Sequence, residues 1–107
     1  SYTSFEYGRP KISGTELRFS VTNSGQLAGA EVVTVYVGLP GNDRPVKELK
    51  AFRKVFIEPG GTIDVSMKID AEKLRQYDDG WILPRGEYNV FIGSSSTDIR
   101  YSTTIKL

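Results

Sequence analysis

The stretch YDDGWILPRGEYNVFIGSSS, residues 77–96, carries the decisive ambiguity of this chain. Asp78 and Asp79 stand beside Trp81, the only tryptophan, as paired acids beside an aromatic ring do in a sugar-cleaving site. The same letters also spell a turn that leads into a buried strand. A glycosidase pair must flank the scissile bond, roughly 5 Å apart for retention and roughly 6.5–9.5 Å for inversion. Neighbouring residues on an extended chain point their side chains apart. Followed by Gly80, the two aspartates fit a turn in which Asp side chains accept from backbone N–H groups. The turn is the preferred reading. Beyond it, Tyr88, Val90 and Ile92 fall on one side of a strand.

Working outward, the dominant period is two residues. Leu17, Phe19 and Val21 alternate with Arg18, Ser20 and Thr22, and Ile63, Val65, Met67 and Ile69 alternate with Asp64, Ser66 and Lys68. The run AEVVTVYVG is apolar on both sides, which predicts a more buried central strand. At the C-terminus Ile99, Tyr101, Thr103, Ile105 and Leu107 share one face. Turn signals such as NSGQLAG, LPGNDRP, EPGG and GSSST separate these runs. VKELKAFRKVFI reads either as an amphipathic helix or as a strand; its β-favouring residues and the EPGGT turn after it favour a strand, bulged near Phe52 and Arg53. Only DAEKLRQY reads as helical, for one or two turns, with Asp70 as N-cap.

Seven strands are expected, near 2–12, 15–23, 31–38, 47–57, 62–70, 86–94 and 99–107. That number in about 100 residues matches an all-β, antiparallel, immunoglobulin-like or fibronectin type III-like sandwich. One domain over residues 1–107 is expected. Tyr88, following Leu83, Pro84 and Gly86, sits where such folds place a structural tyrosine corner, its hydroxyl folded back on the preceding loop.

Composition narrows the function. Lys and Arg number 14 against 13 Asp and Glu, so the net charge of +1 argues against a nucleic-acid partner. No apolar run approaches the roughly 18 residues of a membrane span. Cysteine and histidine are absent. Disulfides, thiol nucleophiles, Cys/His zinc sites and Ser-His hydrolase arrangements are thereby excluded. Carboxylate pairs, lysine and tyrosine remain as catalytic groups. The lack of cysteine is compatible with any compartment. Because the chain opens on Ser1 and not Met, it reads as a fragment or a processed product.

Trp81 is expected to close the end of the sandwich beside Tyr77 and Ile82; alternatively, Trp81 and Tyr77 form a carbohydrate contact, stacking on a sugar face. Arg44, Lys47, Lys50, Arg53 and Lys54 read as a solvated or edge-strand face, where lysine discourages edge-to-edge pairing.

Taken together, YTSFEYG, VTNSGQLAGAEVVTVYVG, RPVKELKAFRKVFIEPGGT and YDDGWILPRGEYNVFIGSSSTDIR resemble the C-terminal fibronectin type III-like domain of family 3 glycoside hydrolases, mostly β-glucosidases and β-xylosidases. The likeness runs over essentially the whole chain and departs from the pattern at Ala51, where glycine is expected, and at Gly61, where an acid is expected. It implies that the nucleophile and the acid/base lie in preceding domains, so no catalytic residue, cofactor or metal is expected here. It implies an accessory role against the catalytic domains of the same polypeptide, with polysaccharide or lignin as a further partner. A secreted or periplasmic parent follows from the family, with a cytoplasmic one left open. Tyr2, Phe5 and Tyr7 form an aromatic N-terminal stretch expected to supply the interdomain contact. A carbohydrate- or lignocellulose-binding module and an independent interaction domain are the alternatives.

Overall fold

In the computed structural model, residues 3–40 and 47–107 are described. Among them ten strands form, β1 (Phe5–Tyr7), β2 (Lys11–Ser13), β3 (Glu16–Asn23), β4 (Gly29–Gly38), β5 (Glu48–Ile57), β6 (Thr62–Lys68), β7 (Gln76–Tyr77), β8 (Trp81–Ile82), β9 (Glu87–Ser95) and β10 (Asp98–Lys106). All pairings are antiparallel. In the first sheet β3 is central, with β6 on one side and β1 and β2 sharing the other. The second sheet runs β10-β9-β4-β5.

The count of ten in place of seven has two causes. The expected first strand is broken at Gly8–Pro10: Gly8 N–H still donates to Ser20 O at 2.8 Å, but Pro10 has no N–H to continue the ladder. The segment between β6 and β9 adds the small β7–β8 hairpin, where only a turn was expected. A 3-10 turn, Ala71–Leu74, precedes it, and the Asp70 carboxylate accepts from Glu72 N–H as the cap that the sequence predicts. Tyr2, in the expected first strand, and Arg44 lie outside the described residues.

The inward half of each strand's alternation makes the core. Leu17, Phe19 and Val21 of β3 and Val65 and Met67 of β6 face Val33, Val35 and Val37 of β4, Tyr88, Val90 and Ile92 of β9 and Ile105 of β10. Each such side chain contributes about 1.5–3 kcal/mol when taken out of water. An arginine spans each open side of the sandwich. Arg100 Nη1 donates to Phe5 O at 2.8 Å, joining β10 to β1, and Arg53 Nη1 reaches Ser66 O at 3.4 Å, joining β5 to β6.

Phe5 and Tyr7 correct the expectation of an N-terminal docking surface. They are 5% and 9% exposed, and Tyr7 stacks on Phe19 with centroids 6.0 Å apart. β1 lays both rings into the core because its register, Phe5↔Asn23 to Tyr7↔Val21, continues the inner face of β3.

Candidate functional site

The outward half of the alternation differs between the sheets, and the second sheet holds the candidate site. On β5, Val55 and Ile57 point inward, so Phe52, Lys54 and Phe56 point outward. Phe52 is 69% exposed and Phe56 64%. They stand opposite Thr34 and Ala30 of β4, with Lys54 between them opposite Val32. Val35 pairs with Ala51 but Tyr36 pairs with Leu49, leaving Lys50 as the extra residue of a bulge. The bulge therefore sits two residues before the expected Phe52. Its effect is to reverse the parity, so that Leu49 joins Tyr36 on the outer face and is exposed. Phe91 of β9 lies beside Tyr36 and extends the same surface. An aromatic and aliphatic face results, with Lys47 Nζ 5.5 Å from the Phe91 centroid at its margin.

A signal for this face was present in the sequence. VKELKAFRKVFI carries apolar residues at both parities, as does AEVVTVYVG, and one parity of each must lie outside the core. The second run is the more buried central strand that its two apolar sides predict: β4 lies between β9 and β5 with Val32 alone exposed along it, so the outward apolar parity opens mainly on β5.

The β7–β8 hairpin is the second exposed feature. Tyr77 pairs with Trp81 across a turn in which Asp78 N–H donates to Gly80 O at 2.8 Å, and Asp79 takes the left-handed φ of 53°. The two rings meet edge to face, 5.5 Å apart at 77°. Tyr77 is 68% exposed and Trp81 66%. Trp81 therefore does not plug the end of the sandwich as expected. Two-residue strands joined by a tight turn direct its indole onto Tyr77 instead.

Two polar clusters hold the frame behind these surfaces. The Tyr88 hydroxyl, at the start of β9, donates to Pro84 O across the preceding loop. Burial pushes that hydroxyl above the ordinary phenol range. Tyr7 Oη donates to the buried Glu31 carboxylate at 3.0 Å. Burial, and then the charge of Glu31, push the Tyr7 phenol well up. The Arg100 guanidinium lies 5.1 Å from the Tyr7 ring centroid and pairs with Asp98 at 3.0 Å. Hydrogen bonds from Arg100, and then from Ser94, hold the Asp98 carboxyl below the usual carboxylate range. These groups connect strands; none of them faces the aromatic surface.

Comparison with known proteins places this architecture. The profile of the fibronectin type III-like domain matches residues 31–96, from β4 through β9. A β-glucosidase of Bacteroides ovatus is 37% identical over 99% of this chain, which covers 16% of that protein. Probable β-glucosidase K of Emericella nidulans is 41% identical over 92% of the chain, here covering 13% of the relative. Among solved structures, β-glucosidase 3B from Thermotoga neapolitana superposes with a TM-score of 0.89 at 34% identity, over 98% of this chain and 16% of its own. The family 3 β-glucosidase of Bifidobacterium adolescentis gives 0.88 at 31%, over 99% of this chain and 17% of its own. The chain thus spans a small fraction of the length of each protein it matches. It belongs to the fibronectin type III-like domain family, in the form that family 3 β-glucosidases carry.

Proposed function

We propose that residues 1–107 are one accessory, non-catalytic unit of a family 3 β-glucosidase-type polypeptide, acting on β-glucosides or β-xylosides, and that this unit packs against the catalytic domains. The observation that carries the reading is the outer face of β4 and β5, where Val32, Leu49, Phe52 and Phe56 are exposed together. Their exposed area comes to roughly 400 Å², taking about 200 Å² for a whole phenylalanine. A patch of that size on a small domain is often functional. Covering it returns roughly 10 kcal/mol before the costs of association. Those costs are smaller when both surfaces belong to one polypeptide. The 16% share of the Bacteroides ovatus relative supports the presence of such a neighbour.

The test compares the full-length polypeptide with its Phe52→Ser/Phe56→Ser double variant. The variant is expected to hydrolyse an aryl β-glucoside normally at 25 °C and to lose activity on heating several degrees earlier. Equal heat inactivation would overturn docking through this face. Hydrolysis by the purified 107-residue chain would overturn the non-catalytic assignment.

A second reading draws on the exposed Tyr77–Trp81 pair. Two rings on a tight hairpin offer a stacking surface for polysaccharide or lignin. Pull-down of the chain on insoluble cellulose, xylan and lignin, with Trp81→Ala beside it, tests that reading. It stands if binding is seen and the substitution abolishes it.

A further inference from the structure

We infer that the surface docked on β4 and β5 carries a carboxylate opposite Lys54, an inference that rests on the docking reading above. Lys54 stands between Phe52 and Phe56 on the outward side of β5 and opposite Val32. The other described cations of β5 have partners. Lys50 Nζ donates to Lys73 O at 3.0 Å and lies 3.9 Å from Glu48 Oε2, and Arg53 reaches Ser66 O. Lys54 forms no ion pair with any described carboxylate. It is an uncompensated charge in the middle of an aromatic surface.

Any surface that covers Phe52, Phe56 and Val32 together must also cover this position. Removing water from an unpaired ammonium is costly and opposes close packing of the rings around it. A carboxylate among apolar side chains of the partner removes that penalty. It also fixes the register of the two domains, because only one alignment pairs the charges while the rings are covered. The competing arrangement has the four-carbon stem of Lys54 lean over the free edge of β5, keeping the ammonium in water. The two arrangements give opposite signs when the charge is removed without loss of length. Lys54→Met breaks a covered pair and weakens docking, or it relieves a strained solvation and leaves docking equal or tighter.

The experiment is limited proteolysis of the full-length polypeptide under native conditions, at the junction between this unit and the rest. When reclosing outpaces cleavage, the rate reports the undocked fraction. Phe52→Ser/Phe56→Ser is expected to speed cleavage strongly. Lys54→Met should speed it about a hundredfold, as expected for stranding a covered charge. Lys54→Arg, which keeps the charge, should stay within about threefold of the parent. Cleavage of Lys54→Met at or below the parental rate, with the double variant fast, overturns the carboxylate and leaves the docking face standing. A Lys54→Arg variant cleaved as fast as Lys54→Met overturns it too, since length and not charge would then be sensed. If the double variant is cleaved at the parental rate, the docking reading falls and this inference with it.

Discussion

The two outer faces of this sandwich are built from the same alternating strands and have opposite chemistry. On the first sheet, Arg18 sits opposite Ser66, Ser20 opposite Asp64, and Glu16 opposite Lys68. Thr22 and Thr62 share a hydroxyl hydrogen bond of 2.7 Å, and Arg18 pairs with Glu16 at 3.2 Å. That face carries polar and charged side chains and meets water on its far side, as antiparallel sheets commonly do. On the second sheet the corresponding positions are Val32, Phe52, Phe56 and Leu49. The inner faces of both sheets are alike. Folding therefore accounts for one half of each strand's alternation, and the outward halves are free to differ, polar on one sheet and apolar on the other.

Removing core and outer-face side chains from the 107-residue chain should separate these halves most sharply. Leu17→Ala on the inner side of β3 should cost about 2–5 kcal/mol in denaturant unfolding. Phe52→Ala, although a larger truncation, should stay within about 0.5 kcal/mol because its ring is solvated in the isolated chain. Equal losses from the two would abolish the distinction between inner and outer faces.

Tyr88→Phe comes next, at about 1–3 kcal/mol, since it leaves the Pro84 carbonyl without its donor while keeping the ring in place. Trp81→Ala, a few residues upstream, should cost no more than about 0.5 kcal/mol in the same assay. A large loss from Trp81→Ala would return that indole to a structural role.

pH dependence sharpens the contrast further, because the shifted groups lie between strands and not on the aromatic face. Asp98 has a depressed folded pKa, so its contribution is present above the unfolded value of about 3.9 and is lost as pH falls through the folded one. Tyr7 and Tyr88 have raised folded pKa values; their contribution is present below about 10 and is lost as pH rises above it. Urea midpoints should fall at both ends. Asp98→Asn should flatten the acid limb, and an unchanged limb would assign acid sensitivity to other carboxylates. The smallest effect is expected from Arg18→Ala on the polar face, within about 0.5 kcal/mol, since exposed pairs contribute little.

Several parts of this fold were legible from residue spacing. The strict alternation of ELRFSVTN and TIDVSMKID identifies β3 and β6 and their inward sides. Asp70 announces the 3-10 turn because its side chain can cap an N–H two residues on. Elsewhere, spacing was ambiguous for physical reasons. Aromatic rings at Phe5 and Tyr7 carry the same sequence signature in a core as at an interface, and only their pairing with β3 puts them inside. Trp81 is adjacent to a turn in either reading, and the two-residue β7–β8 pairing decides that it meets Tyr77.

What the sequence determined by itself is the period, the turn chemistry and the family, since alternation and Gly/Pro/Asp placement are local properties of the chain. What only the tertiary structure decided is which of two apolar parities in β4 and β5 is covered. Val55 and Ile57 meet the opposite sheet, and Phe52 and Phe56 meet none. The bulge at Lys50 then turns Leu49 outward to join them. Burial is a property of what lies across a strand, and no spacing along the strand contains it.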